Sequence, residues 1–128
     1  MDACPCGSSD TYAACCGPFH AGGEPPTALQ LMRARYCAFV RGETAFLIRT
    51  SHPLERTRVD MRGLRASCAL AWLGLEIVDH QHGGAEDREG MVHFRARFRG
   101  PDGAERVHDE RSRFSHIGGS WVYRDAKA

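Results

Sequence analysis

The sequence predicts an α+β fold: a small cysteine-rich N-terminal unit, then helices, then a meander of about four antiparallel strands. Three observations predict it. Four of the six cysteines, Cys4, Cys6, Cys15 and Cys16, fall within residues 4–16. Apolar residues between positions 29 and 40 recur at helical period. Residues 91–99 alternate between apolar and polar, and the turn-forming run "GPDG" follows at 100–103. Helices first and a run of strands after is an α+β plan.

The cysteine unit reads Cys4-x-Cys6, eight residues, then Cys15-Cys16. Tetrahedral zinc takes four thiolate or imidazole donors at about 2.0–2.3 Å. One intervening residue lets Cys4 and Cys6 reach a single ion, with Pro5 restricting the link. Gly7, Ser8 and Ser9 are turn formers that reverse the chain. Residues 12–16 then form one helical turn presenting the second pair, and Gly17-Pro18 ends it. A segment of about 20 residues is too short to build an apolar core, and a metal can replace one. With four protein donors no coordination position is left for water or substrate, so the zinc is structural. His20 is an alternative ligand. No Cys-x-x-Cys is present, which argues against a redox pair.

The body follows a short linker, "GGEPP", at residues 22–26. Thr27 is placed as an N-cap, with Gln30 three residues on completing a capping box. Leu29, Met32, Tyr36, Phe39 and Val40 form an apolar helical face, and Gly42 is a C-terminal stop. A second short helix is expected over 43–50, broken at Pro53, and a third over 60–70, interrupted by Gly63. "WLGLEIVDH" (72–80) is rich in strand formers. In 91–99, Val92, Phe94, Ala96 and Phe98 share one face, and His93, Arg95, Arg97 and Arg99 the exposed other. Residues 105–117 and "WVYR" complete the meander. The periodicity needed for an apolar core begins only at Leu29, so the cysteine unit is expected to fold apart from the body.

Both parts resemble known families. "CPCGSSDTYAACCG" is similar to the SEC-C motif, a zinc knuckle found at the C-terminus of the SecA preprotein translocase. The resemblance implies Cys4, Cys6, Cys15 and Cys16 as ligands of one Zn2+, and a protein-docking role. "PTALQLMRARYCAFVRGE", "SHP", "WLGLEIV", "VHFRARF", "HDERSRF" and "WVY" occur in an order that resembles the YchJ family (UPF0225) of bacterial proteins. That resemblance implies a SEC-C knuckle at 1–22 joined to an NTF2-like, cystatin-like domain at 27–126. In such a domain a curved sheet wraps helices and leaves a pocket. It implies no established activity.

One strand carries polar groups where apolar ones are expected. If Phe114 points inward, period two sends His108, Glu110 and Ser112 inward too. Buried polar groups need partners or a wet cavity, and Arg33, Arg35 or His52 are candidates to pair with them. Two readings stay open: a satisfied structural network, or a ligand pocket made by His52, His108, Glu110 and Ser112. Cys37 and Cys68 read as small buried hydrophobes. His80 and His82 read as solvated residues by a Gly-Gly turn.

The 128 residues suffice for one domain and a small appendage. The formal net charge of +1 favours neither nucleic acid nor membrane surfaces. There is no apolar run long enough to span a bilayer, and "MDACPCG" lacks the form of a secretory signal. A cytoplasmic protein is expected, where thiols stay reduced and clustered cysteines read as metal ligands. The leading expectation is a zinc-binding, non-enzymatic adaptor for an unidentified protein partner. Residues 1–26 carry Asp2, Asp10 and Glu24 with no Lys or Arg, so a partner would be met through apolar residues such as Phe19 or through the body. The alternative is a small-molecule binder or enzyme using the His108/Glu110 pocket. Ribosome or RNA contact is a third possibility: residues 31–65 hold eight arginines against Glu43, Glu55 and Asp60.

Overall fold

The computed structural model describes residues 3–127; Met1 and Asp2, the first residues of the expected knuckle, lie outside them. A 3-10 turn (Tyr12–Ala14) and α1 (Gly17–His20) complete the cysteine unit. The body contains α2 (Ala28–Arg41), α3 (Thr44–Arg49), α4 (Pro53–Arg56) and α5 (Met61–Cys68), then β1 (Ala71–His82), β2 (Glu89–Arg99), β3 (Glu105–Ile117) and β4 (Ser120–Lys127). The strands form one antiparallel sheet in the order β1-β2-β3-β4. The α+β plan is the one the sequence predicts.

The ends of α2 follow sequence chemistry. Thr27 Oγ1 accepts from the Gln30 N–H at 3.1 Å. Gly42 closes the helix with φ of 72°, a left-handed conformation that glycine adopts without strain. Pro53 does more than stop α3. It opens α4, because a proline in the first turn of a helix gives up an N–H that would be unpaired anyway. Gly17-Pro18 likewise opens α1 where the sequence suggested a stop.

β2 obeys its alternation: Val92, Phe94 and Ala96 are buried between the sheet and α2. β1 does not alternate cleanly, because register shifts fall between Trp72/Gly74 and between Ile77/Asp79. Phe114 on β3 is 1% exposed, which fixes the inward phase of that strand. His93 departs from expectation. It lies on the arginine face, yet its side chain is only 13% exposed, held by Asp109 at 2.7 Å.

The expectation that the core begins at Leu29 does not hold. Cys4, Cys6 and Cys16 belong to the same buried cluster as Leu31, Ala34 and Phe94. The residues of α2 that are wholly inaccessible are Leu31, Ala34, Cys37 and Ala38, whereas Leu29, Phe39 and Val40 are half-buried. The helix is covered on two sides, by the sheet and by the cysteine unit.

Candidate metal centre and adjoining cavity

The cysteine unit is built by short-range hydrogen bonds. The Cys4 N–H donates to Asp10 O at 2.8 Å and the Gly7 N–H to Cys4 O at 3.1 Å, which closes the reversal. Gly7 takes φ of 81° there. Thr11 Oγ1 accepts from the Ala14 N–H at 3.2 Å and caps the 3-10 turn that delivers Cys15 and Cys16. The four sulfurs of Cys4, Cys6, Cys15 and Cys16 all lie within 4.8 Å of one another. Cys6 to Cys15 is 3.6 Å and Cys15 to Cys16 is 3.9 Å. Four sulfurs at about 2.3 Å from one tetrahedral ion stand about 3.8 Å apart. The donor set and its spacing fit a metal ion.

The remaining donors sort themselves by their partners. His20 is engaged at both ring nitrogens, by Tyr12 Oη at 2.7 Å and by Ala34 O at 2.8 Å. Its ring ties the cysteine unit to α2 and stands outside the sulfur cluster. Cys37 is wholly buried in the core, as the sequence predicts, and its Sγ also lies 3.9 Å from Cys4 Sγ. A fifth sulfur therefore touches the cluster from α2. Burial pushes the Cys4 thiol up to about 12. Hydrogen bonding from Cys16 draws Cys6 down to about 4, against its burial. Contacts with Cys37 and Cys6, together with burial, hold Cys16 above the ordinary thiol value. Burial and these contacts thus keep Cys4 and Cys16 as thiols, and a bound cation would favour their thiolate forms.

Arginines clamp this unit to the body. Arg33 Nη1 donates to Cys6 O at 2.9 Å, and Arg49 Nη2 to Phe19 O at 3.3 Å. The Arg41 guanidinium lies 3.8 Å from the Tyr12 ring centroid.

On the other side of α2 a cavity of about 290 Å³ lies between α2, the end of α5 and the sheet. His108, Glu110 and Ser112 line it together with Tyr123, Arg35 and Trp72. Glu110 Oε1 accepts from His108 Nε2 at 2.9 Å. Its Oε2 accepts from Ser112 Oγ at 2.5 Å and from Tyr123 Oη at 3.0 Å. Burial works to raise the Glu110 pKa, but the bonds from His108, Ser112 and Tyr123 outweigh it and hold the carboxyl below its usual range. The bond to Glu110 raises His108, against partial burial. Exposure grades along β3: Ser112 is 1% exposed, the Glu110 side chain 16% and that of His108 51%.

The suggested helix partners divide. Arg35 reaches the polar end, with its guanidinium 4.7 Å from the Tyr123 ring centroid. Its Nη1 donates to Leu47 O at 2.9 Å and to Thr50 Oγ1 at 2.7 Å. Burial lowers it to about 10. Arg33 is committed to Cys6. His52 does not line the cavity, since its Nδ1 accepts from the Leu54 N–H at 3.1 Å as the cap of α4. Tyr123 was missed by the sequence reading. Strand phase held the signal, because Tyr123 pairs with inward Phe114 across a β3–β4 register shift.

Comparison with known proteins decides the family. Residues 27–126 match the model described as "YchJ, middle NTF2-like domain", and residues 2–18 match the SEC-C motif. The chain belongs to the YchJ family. A UPF0225 protein of Streptomyces coelicolor is 48% identical over 97% of this chain and 94% of its own length. One from Xanthomonas oryzae is 43% identical over 98% and 95%. The solution structure of a SEC-C motif containing protein from Rhodopseudomonas palustris superposes with a TM-score of 0.89 at 32% identity, covering 100% of this chain and 98% of that one. A crystal structure of a SEC-C motif containing protein from Psychrobacter arcticus gives 0.81 at 30% identity, over 95% and 80%. This YchJ-family chain therefore carries a SEC-C unit whose cysteines can hold a metal, joined to an NTF2-like body.

Proposed function

We propose that the protein is a zinc-binding, non-enzymatic module that works in the cytoplasm by contact with a protein partner. The observation that carries the metal assignment is the convergence of four cysteine sulfurs, three of them on buried residues. An all-sulfur tetrahedral set suits Zn2+, and a reducing compartment keeps the thiols available to it. Four protein ligands make the ion structural, one per chain. Elemental analysis of protein purified without added metal tests this. Zinc near one equivalent is expected, falling sharply in Cys4→Ser and Cys15→Ser; unchanged zinc in those variants would sink the assignment.

For the partner, Phe19 is half-buried against the core and offers little free surface. The outer face of the sheet offers more. Leu73 and Val107 are 38% and 53% exposed, in a shallow groove with Pro5, Gly7, Arg95 and Arg97. This surface joins the knuckle to the body and suits a peptide with an apolar anchor, since Arg95 and Arg97 are already paired with Glu76, Asp109 and Glu105. In-cell crosslinking from an introduced photoreactive residue at Glu76 is the test. A Leu73→Asp/Val107→Asp variant with full zinc content should lose the crosslinked partner; equal yield would place the contact elsewhere. The arginines that suggested RNA contact support it weakly. Arg33, Arg35, Arg41, Arg49 and Arg56 are all directed at internal carbonyls, hydroxyls or rings.

A further inference from the structure

The cavity beside α2 lies outside that proposal. A void of about 150 Å³ admits a benzene ring, so about 290 Å³ suits one ring with short substituents or two fused rings. The cavity has two unlike ends. At one, Trp72 packs among Tyr36, Phe39 and Phe98 with ring centroids 6.0, 6.0 and 5.3 Å away. The Trp72 indole N–H already donates to Ser67 O at 2.9 Å, so this end is flat and apolar. At the other end stands an ionised carboxylate, Glu110, in reach of the cavity. A carboxylate offers about four acceptor positions. His108, Ser112 and Tyr123 fill three of them, two on Oε2 and one on Oε1.

We propose that this cavity binds a small, flat, uncharged molecule that donates a hydrogen bond to Glu110, a phenol-like hydroxyl being the simplest such head group. The open acceptor position on Glu110 Oε1 selects a donor. A ligand carboxylate would set its lone pairs against those of Glu110. A ligand ammonium would add a cation beside the buried Arg35 guanidinium, whose charge already offsets Glu110. The aromatic end takes the body of the ligand by stacking and edge contacts.

The test uses the metal-loaded full chain, labelled with 15N, and three probes of nearly equal size: 4-methylphenol, toluene and 4-methylbenzoate. Amide shifts should saturate with 4-methylphenol at Phe94, Glu110 and Ser112, with an affinity at least tenfold above that of toluene, and 4-methylbenzoate should leave them unmoved. Glu110→Gln removes the repelling charge and should narrow the preference for 4-methylphenol over 4-methylbenzoate. Ala96→Leu narrows the cavity from β2 without altering a polar group, and should abolish binding with the fold intact. Equal binding of toluene would show an apolar void without head-group recognition and overturn the proposal. So would preference for 4-methylbenzoate, an absence of saturable shifts, or shifts that survive in Ala96→Leu. None of these results would touch the zinc content, so the two proposals fail separately.

Discussion

Replacing Cys37 by alanine should weaken metal binding although Cys37 is not one of the four ligands. Zinc held by four thiolates leaves a net charge of −2 at a centre where Cys6 and Cys16 are wholly inaccessible. Buried charge needs donors around it. Ser8 Oγ supplies one, to Cys15 Sγ at 3.1 Å. Cys37 supplies another: once metal holds Cys4 as thiolate, the 3.9 Å contact leaves Cys37 S–H as the donor. Loss of an outer-shell partner typically costs about 10–100-fold in metal affinity, or about 1.4–2.8 kcal/mol. Cys37→Ala removes the donor, and Cys37→Ser keeps an O–H in nearly the same place. Competition against a chromophoric chelator under reducing conditions measures both. Cobalt substitution adds a thiolate charge-transfer band that reports the ligand field. The expected order is wild type, then Cys37→Ser, then Cys37→Ala. Wild-type affinity in Cys37→Ala would refute the argument, and equal losses in the two variants would reduce it to packing volume.

Chelation of the metal should perturb amides along α2 as well as residues 3–22, because the thiols share a core with Leu31 and Ala34; changes confined to 3–22 in an NMR comparison would show independent cores. Glu110→Gln must turn an amide NH2 towards at least one existing donor, and should lower unfolding stability by about 1–3 kcal/mol; denaturant curves that overlay wild type would contradict the network. The pair also has a pH signature. The folded pKa of His108 is raised above 6.5, so its contribution is complete below 6.5 and is lost as pH rises through the folded value. The folded pKa of Glu110 is depressed below 4.5, so its contribution is complete above 4.5 and is lost as pH falls through the folded value. The melting-temperature gap between wild type and His108→Gln should be widest between pH 4.5 and 6.5; a gap independent of pH would mean that the pair is not ionic.

What could be read from the chain alone depended on contrast between neighbours. β2 was legible because Val92, Phe94 and Ala96 differ in polarity from His93, Arg95 and Arg97. The inward row of β3 was legible because Phe114 fixes the phase. The sulfur cluster was legible because thiols at that spacing have few other uses. β1 gave no face, since its two register shifts reset the alternation. The docking of the cysteine unit on α2 was not legible at all. It is made by Cys37, by the carbonyl of Ala34 and by arginines reaching backbone oxygens and rings. Small residues carry little hydrophobic signal, and an arginine that binds a carbonyl looks in sequence like a solvated charge. His93 departs from expectation for the same reason: the register sets Arg111 opposite it and Asp109 opposite Arg95, and its ring reaches diagonally to Asp109.

The charge asymmetry noted in the sequence takes on a different meaning once these contacts are known. Asp2, Asp10 and Glu24 make residues 1–26 acidic, and eight arginines against three acids make residues 31–65 basic. A basic patch of that size suggests an external polyanion. Three of the eight face the cysteine unit instead: Arg33 binds the carbonyl of Cys6, Arg41 covers Tyr12 and Arg49 reaches Phe19, while Arg58, Arg62 and Arg65 stay exposed. Each contact requires the unit to hold its folded shape, and that shape is what metal binding stabilises. Metal affinity and the stability of α2 are therefore linked, since a ligand that binds only the folded state raises its stability by mass action. A knuckle serving only as a tethered docking tag would need none of these contacts. Their presence argues that a metal bound by these cysteines would brace the helix that forms one wall of the cavity.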